Sequence, residues 1–257
     1  MTWDTALPGL ALLISFGTAI VIFLLGEKRR RTRTALNLGG ALINLILVAR
    51  ILWGVYQGTT YEMRLPLLPG LDLLLRVDAF SMLFTTLSAF LWLVTTLYAV
   101  GYLEGSPHRS RFFGFFGLCV AATMGVAMAG NLITFFIFYE ILTLSTYPLV
   151  VHRGTRESLE AGKRYLAYTL TGSTVLLAGI MTLYALTGNQ NFTEGGALDP
   201  AALTADAWAL RGIFMLLIVG FGVKAALVPL HGWLPLSMVA PAPVSALLHA
   251  VAVVKAG

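Results

Sequence analysis

The chain has 257 residues, of which 58% are hydrophobic and only 11% are charged. Soluble globular domains carry roughly 25% charged residues, so this composition excludes an ordinary soluble domain. The formal net charge of +5 does not indicate nucleic-acid binding, because the basic residues occur in short runs between apolar segments. The sequence therefore predicts a protein that spans a lipid bilayer.

Apolar segments of about 20 residues recur along the chain, each long enough to cross a hydrocarbon core about 30 Å thick. They predict an all-α, polytopic transmembrane helix bundle of about eight helices. The predicted helices cover about residues 7–25, 35–56 and 79–102, two helices within 112–151 that turn at Gly130 and Asn131, residues 165–186, a seventh from about Trp208, and an eighth from about Pro243. The Pro- and Gly-containing segment after the second helix is expected to be a loop.

The basic residues predict the orientation of the bundle. Loops after the first, third and fifth helices carry the basic clusters at residues 28–33, 109–111 and 153–164, whereas the intervening loops hold only Arg64, Arg76 and Arg211. Basic loops stay on the cytoplasmic side, so we expect a multi-pass protein of the cell (inner) membrane with its N-terminus outside.

Three ionisable residues interrupt apolar helices: Glu140 in the fifth, Lys224 in the seventh and Lys255 in the eighth. An ionisable residue at the centre of a membrane helix costs roughly 2.5 to 3.5 kcal/mol on insertion scales. One interpretation is a static ion pair that fixes helix packing. We favour a proton or ion pathway, because burial favours the neutral amine of Lys224 and a nearby Glu140 carboxylate would favour its protonated form, which makes the lysine switchable.

Two histidines are candidate relay residues, since histidine titrates near neutral pH. His249 precedes Lys255 by six residues, so the two face about 120° apart on a helix and are staggered rather than paired. As a lone histidine in an apolar helix, His249 could equally be a core residue.

His231 lies in a segment, residues 228–243, that contains four prolines and cannot be one regular helix. That segment is either a simple connection or a hydrated entry for protons, and both can hold.

No cofactor is expected. The single cysteine, Cys119, excludes a disulfide framework and a cysteine-based metal cluster, and it is most simply a small apolar core residue. The sequence also contains no phosphate-binding loop or metal-ligand cluster.

Several segments resemble one membrane-protein family. Residues 223–235 (VKAALVPLHGWLP), 240–249 (APAPVSALLH) and 254–257 (VKAG) resemble the proton-translocating antiporter family, which Mrp-type cation/proton antiporters share with the antiporter-like subunits of respiratory complex I. Residues 78–81 (DAFS) and 131–140 (NLITFFIFYE) extend the resemblance to about residues 70–257. The ending VVKAG after a histidine is most similar to the D-type Mrp protein, and next to the A-type.

The resemblance implies roles for individual residues. In that family a glutamate of the fifth helix and a lysine of the seventh form the essential pair, and a lysine or histidine of the eighth continues the path, which corresponds to Glu140, Lys224 and Lys255. Many members carry an acidic residue after Trp-Leu-Pro, where this chain has Leu236. No role for a carboxylate at that position is carried over.

The resemblance also implies a longer protein. Family members have fourteen helices with two inverted five-helix repeats, so residues 1–105 correspond to the three leading helices and residues 106–257 to the first repeat, truncated at its end. Residues 245–257 would form only about 20 Å of helix, short of the hydrocarbon thickness. We therefore expect the chain to be an N-terminal fragment.

The expected function is that of a membrane subunit in a multisubunit monovalent cation (Na⁺ or K⁺)/proton antiporter. Its expected partners are the lipid bilayer, the other subunits, protons and monovalent cations, and not nucleic acid. One alternative is an antiporter-like, non-redox proton-pumping subunit of an NADH:quinone oxidoreductase. Another is a scaffold subunit in which the buried charges form a static packing network.

Overall fold

The structure is a computed structural model that describes residues 3–68, 71–188, 190–193, 207–246 and 252–257. Seven helices of 18 or more residues lie in these ranges: α1 (Trp3–Leu24), α2 (Arg30–Tyr56), α3 (Ala79–Tyr102), α4 (Arg109–Ala127), α5 (Leu132–Val150), α6 (Arg156–Thr187) and α7 (Ala207–Lys224). The first six are long and apolar enough to cross a membrane. The predicted helical bundle is confirmed, and α3 has the predicted bounds.

A β-hairpin joins α2 to α3, where the sequence predicted only a loop. Its strands β1 (Tyr61–Leu68) and β2 (Leu71–Val77) pair antiparallel. The turn between α4 and α5 adds to the free edge of β2: the Arg76 amide donates to the Met128 carbonyl, and the Gly130 amide donates to the Leu74 carbonyl, both at 2.8 Å. The loop prediction was wrong because residues far along the chain complete this edge. We call this side of the molecule the hairpin end.

Asn131 fixes the turn between α4 and α5, which lies at the predicted Gly130 and Asn131. The Asn131 side chain caps α5 by accepting a hydrogen bond from the Thr134 amide at 2.8 Å. Its side-chain amide donates to the Asp72 carbonyl of β2, also at 2.8 Å. One residue therefore begins the helix that carries Glu140 and attaches it to the hairpin.

The opposite side, which we call the basic end, holds the clusters of Arg and Lys. Helices α2 and α6 begin at Arg30 and Arg156, earlier than the predicted starts at residues 35 and 165, so basic residues predicted for loops lie on helices. Arg33 is only 2% exposed. Its guanidinium donates to the Ser110 hydroxyl at 2.9 Å and pairs with Glu27 at 3.5 Å. These contacts tie the start of α2 to the start of α4.

The chain after α7 is irregular, as the prolines predicted. It forms a 3₁₀ turn (Leu230–Gly232), α8 (Trp233–Ser237), α9 (Ala242–Val244) and a second 3₁₀ turn (Val254–Ala256). The prediction that residues 228–243 are not one regular helix is confirmed. The predicted eighth helix begins next to Pro243, but residues 247–251 lie outside the described residues, and its end is 3₁₀ rather than α-helical.

Helices α6 and α7 pack closely through glycines. A Cβ atom built on Gly220 would lie 2.6 Å from the Cβ of Leu176, and one built on Gly172 would lie 2.7 Å from the Cβ of Val223. Only glycine allows backbones to approach this closely. This packing fixes the end of α7, and with it Lys224, against the middle of α6.

Candidate functional site

Lys224 is the last residue of α7 and is fully buried. The helix ends there in a Schellman motif: the Leu227 amide donates to the Gly222 carbonyl at 2.9 Å, and the Ala226 amide donates to the Val223 carbonyl at 3.2 Å. Ala226 has the left-handed conformation that this motif requires, with φ of 57°. The helix break therefore places a cation at a helix C-terminus, where the helix dipole favours positive charge.

The Lys224 ammonium is held by neutral groups of α5. Nζ donates to the Tyr139 carbonyl at 2.7 Å and lies 3.3 Å from the centroid of the Tyr139 ring. The Thr143 hydroxyl donates to the same carbonyl at 3.0 Å. A carbonyl dipole and an aromatic face both attract a cation without carrying a formal charge.

Glu140, the predicted partner of Lys224, follows Tyr139 on α5 and is partly buried. Among the described residues, no Glu140–Lys224 ion pair lies within 4.0 Å, and Oε1 of Glu140 has no hydrogen-bond partner. The Ser173 hydroxyl of α6 lies beside the carboxyl group, and Glu140 and Lys224 are close enough to interact electrostatically. The structure thus brings the two charges together without a direct salt bridge.

Aromatic side chains close the site on the side of α8. The Trp233 indole donates to the Val223 carbonyl at 2.7 Å, and its ring packs edge-on against Tyr165 of α6 at 5.5 Å. Tyr165 donates in turn to the Thr143 carbonyl at 3.3 Å. Trp233 and Tyr165 are both fully buried, so they shield the lysine.

Lys255 is exposed, whereas the sequence predicted a buried position in the eighth helix. It lies in the second 3₁₀ turn and lines a cavity of about 720 Å³ together with Arg76, Asp78, Ser81 and Thr123. The cavity opens between the hairpin, α3 and α4. Lys255 is therefore not buried with Lys224, and it lies at an open cavity whose lining is largely apolar.

Of the two candidate histidines, the structure describes only His231, which is not part of the buried cluster. His231 lies in the first 3₁₀ turn and is exposed. His249 lies outside the described residues. Among the described residues, no three His, Cys, Asp or Glu side chains come together as a group that could hold a metal ion.

A family model described as "NADH:quinone oxidoreductase/Mrp antiporter, TM" matches residues 129–257, half of the chain. The chain belongs to this antiporter family. A second model, "NADH-Ubiquinone oxidoreductase (complex I), chain 5 N-terminus", matches residues 70–113. The predicted resemblance is confirmed, and the site described above lies within the first match.

Named relatives come from both branches of the antiporter family. The A-type protein of the Na(+)/H(+) antiporter of Alkalihalophilus pseudofirmus is 30% identical over 264 residues, which cover 99% of this chain and 31% of the relative. The N-type protein of the NADH-quinone oxidoreductase of Desulforudis audaxviator is 36% identical over 168 residues, which cover 64% of this chain and 33% of the relative. The chain thus spans about a quarter to a third of the length of the curated relatives it matches.

A solved structure shows the same fold. A chain of the Mrp complex from Dietzia sp. DQ12-45-1b superimposes with a TM-score of 0.79 at 25% identity, over 97% of this chain and 27% of that chain. With the six candidate membrane helices, this likeness identifies a multi-pass membrane protein of the antiporter type. The sodium/proton relative is of the A-type, so the similarity to the D-type protein stays a prediction.

Sequence reasoning missed the groups that hold the lysine. Tyr139 and Ser173 lie against the buried pair, and Thr143 donates to the Tyr139 carbonyl, but none of the three is unusual in a membrane helix. The Tyr139 contact is through a backbone carbonyl, which every residue has, so no side-chain pattern could have indicated it. The position of Tyr139 directly before a buried glutamate was the only available signal.

Proposed function

We propose that this chain carries protons within one subunit of a multisubunit antiporter that exchanges protons for a monovalent cation, Na⁺ or K⁺. The observation that carries the proposal is the fully buried Lys224 at the broken end of α7, held by a carbonyl and a ring while the Glu140 carboxyl lies nearby. An ionisable side chain at membrane depth is costly, and in transport proteins it marks an ion or proton path.

The geometry supports a switchable pair rather than a fixed one. In a tight salt bridge, carboxylate and ammonium would hold each other, and a proton would leave the lysine only after the pair broke. Here the ammonium bonds to a neutral carbonyl at 2.7 Å, and Glu140 keeps an unbonded oxygen. A small movement of either side chain would change the attraction that keeps the proton on Lys224.

The break after α7 supports a route between Lys224 and water. Irregular backbone at membrane depth is tolerated only where it is buried in protein or lines a hydrated cavity. The exposed His231 lies in this break and is a candidate entry point for protons. We assign Lys255 and its cavity to the continuation of the path, with His249 as a further candidate, and residues 106–257 to the translocating repeat behind the leading helices 1–105.

Substitutions at the pair test this function in the complete protein, together with its partner subunits in membrane vesicles. We expect Lys224→Arg to abolish cation/proton exchange although it keeps the charge, because a guanidinium does not release its proton. Glu140→Gln should also abolish exchange, since it removes the charge that favours protonated Lys224 at almost unchanged volume. Lys163→Arg, at an exposed lysine of α6, is the matched control and should retain full activity.

The scaffold alternative predicts a different result. If the charges only fix helix packing, an arginine that still interacts with α5 preserves assembly and activity. Exchange near the wild-type rate by a fully assembled Lys224→Arg complex would therefore contradict the relay.

A redox-driven assembly is the second candidate function, favoured by the 36% identity to an NADH-quinone oxidoreductase protein. The same buried pair would then move protons in response to electron transfer in partner subunits. Purification of the native complex separates the two: iron–sulfur and flavin absorbance with NADH:quinone activity would support the redox assembly, and exchange without them supports the antiporter.

A further inference from the structure

Helices α2 and α3 contain fully buried polar side chains that take no part in the proton-transfer site. They are Asn37 and Asn44 on α2, and Thr85, Trp92 and Thr96 on α3, each 1% exposed or less. Burying a polar group in an apolar environment costs roughly 1 to 3 kcal/mol unless it is hydrogen-bonded. A set of five on two packed helices therefore needs partners.

Most of their polar atoms have no partner among the described residues. These atoms are both polar atoms of the Asn37 amide, Oδ1 of Asn44, Oγ1 of Thr85, Nε1 of Trp92 and Oγ1 of Thr96. The one hydrogen bond of the set within the described residues is weak in character, from Asn44 Nδ2 to the Met124 sulfur at 3.3 Å.

The α3 threonines differ from other buried threonines of the protein. In α4, α5 and α6, the hydroxyls of Thr123, Thr146 and Thr169 each donate to the carbonyl four residues earlier, at 2.7 to 2.8 Å. A threonine hydroxyl in a helix usually makes this hydrogen bond when its surroundings are apolar. Thr85 and Thr96 do not use it, so their hydroxyls remain available to an external partner.

The five side chains lie at matching depths on neighbouring antiparallel helices. Arg30 at the start of α2 pairs with Glu104 just after α3, which sets a common level at the basic end. At 1.5 Å per residue, Asn37 lies about 10 Å and Thr96 about 12 Å from that level. Asn44 and Trp92 follow at about 21 Å and about 18 Å, and Thr85 at about 29 Å. The polar groups thus follow one another in depth along α2 and α3, with Asn44 facing Met124 of α4, and we call this series the column.

One end of this column lies beside a buried arginine, and the other lies beside the open cavity. At the basic end, Arg33 lies one turn before Asn37 on α2 and is itself buried, with an Nε that has no partner within the described ranges. At the hairpin end, Ser81 lies one turn before Thr85 and lines the 720 Å³ cavity. The column therefore runs from the basic end toward the cavity.

We propose that α2 and α3 bind a column of water molecules through Asn37, Asn44, Thr85, Trp92 and Thr96. Water fits this set because it both donates and accepts, and the set mixes donors (Asn37 Nδ2, Trp92 Nε1) with acceptors (the two amide oxygens) and hydroxyls that do either. Buried water in proteins typically makes about three hydrogen bonds to groups that would otherwise be unsatisfied. A metal cation does not fit, since these five residues include no carboxylate and Arg33 lies at one end.

Hydroxyl-radical footprinting with mass spectrometry tests the proposal on the complete protein in lipid nanodiscs. Radicals generated by X-rays from water modify buried side chains only where bound water touches them. Trp92 and Trp233 are both fully buried, but the Trp233 indole already donates to a protein carbonyl. We expect Trp92 to be modified at least several-fold faster than Trp233.

Two variants locate the water on the column. Asn37→Leu removes the side chain with two unpartnered atoms. Thr96→Val replaces a hydroxyl with a methyl group at nearly equal volume, so the Thr96→Val protein should fold even if the Asn37→Leu protein does not. We expect either variant to reduce Trp92 modification severalfold, while Ala89→Val, at an apolar buried position of α3, leaves the rate near that of the wild type. Equal modification of Trp92 and Trp233, or a Trp92 rate that neither variant changes, would overturn the proposal. The Lys224 and Glu140 variants do not bear on this test.

Discussion

Single side chains at the basic end connect segments that are far apart in sequence. Glu27 accepts hydrogen bonds from the backbone amides of Arg109 and Ser110, at 3.1 and 2.8 Å, and so caps α4 with a carboxylate at the end where the helix dipole favours negative charge. The same carboxylate faces the buried guanidinium of Arg33. Glu27 therefore accepts hydrogen bonds from the first backbone amides of α4 and also pairs with the buried Arg33.

His152, just after α5, is a titratable group at this end that lies outside the membrane helices. Its ring packs edge-on against Phe112 at 5.2 Å, and its Nδ1 has no hydrogen-bond partner among the described residues. Burial, followed by the positive charge of Arg111, lowers the pKa of His152 to about 4. The folded protein thus holds this histidine neutral.

This lowered pKa predicts how stability depends on pH. An unfolded histidine titrates near pH 6.5, so between about pH 6.5 and about pH 4 the unfolded chain binds a proton that folded His152 does not. The free energy of unfolding should therefore fall on acidification through this window. We expect His152→Gln to lose less thermal stability than the wild type between about pH 7 and about pH 5, measured by scanning fluorimetry in detergent. Identical pH profiles for the two proteins would contradict the assignment.

Among the helices and turns, the end of α7 decides where the buried lysine lies. The Schellman motif there has alanine at a position usually occupied by glycine, and Ala226 takes a left-handed conformation. Such a conformation costs roughly 1 to 2 kcal/mol for a residue with a Cβ atom. The protein bears this cost next to its candidate functional residue.

Ala226→Gly should stabilise the fold. Relief of the left-handed alanine exceeds the added entropy of glycine in the unfolded chain, so we expect a gain of about 0.5 to 1 kcal/mol in the free energy of unfolding. The matched control is Ala225→Gly, at a neighbouring residue without positive φ, which should destabilise. Thermal unfolding of the two variants measures both changes in stability. A loss of stability in Ala226→Gly would show that the alanine is not strained.

The sequence predicted helices and breaks well, but not structure that depends on distant residues. Apolar length placed α1 to α5 within a few residues, apart from the earlier start of α2, and prolines indicated the break after α7. The hairpin was missed because its edge is completed by the turn between α4 and α5. The early start of α6 was missed because its first turns are polar and carry Arg156, Lys163 and Arg164.

At the site, sequence could indicate charges but not their contacts. Glu140 and Lys224 were identified because each interrupts an apolar segment. That Lys224 bonds to the Tyr139 carbonyl depends on tertiary packing, in which glycines let α6 and the end of α7 approach closely. Likewise, Lys255 is exposed on a 3₁₀ turn, whereas the apolar flanks alone predicted a helix there.

At the scale of the whole molecule, the separation of the two ends supports an orientation. The basic end gathers the Arg and Lys clusters, and the hairpin end gathers β1, β2 and the turn between α4 and α5. Because basic ends remain in the cytoplasm, we propose that the hairpin end and the N-terminus face outward.

Cysteine labelling tests this orientation. In a Cys119→Ser background, we expect Thr59→Cys at the hairpin end to react with a membrane-impermeant maleimide on intact cells. Arg31→Cys, exposed at the basic end, should react only after the membrane is permeabilised. The reverse pattern would invert the proposed topology.

The hairpin also constrains the order in which the protein can be completed during its synthesis. Its backbone bonds go to Met128, Gly130 and the Thr134 hydroxyl, and Gly130 in turn accepts from the Phe192 amide at 3.0 Å. A ribosome makes these partners long after the hairpin, and the last of them only after α6. The hairpin must therefore wait with an unpaired edge until the later helices are made, and during that interval chaperones or misplaced strands can act on this edge.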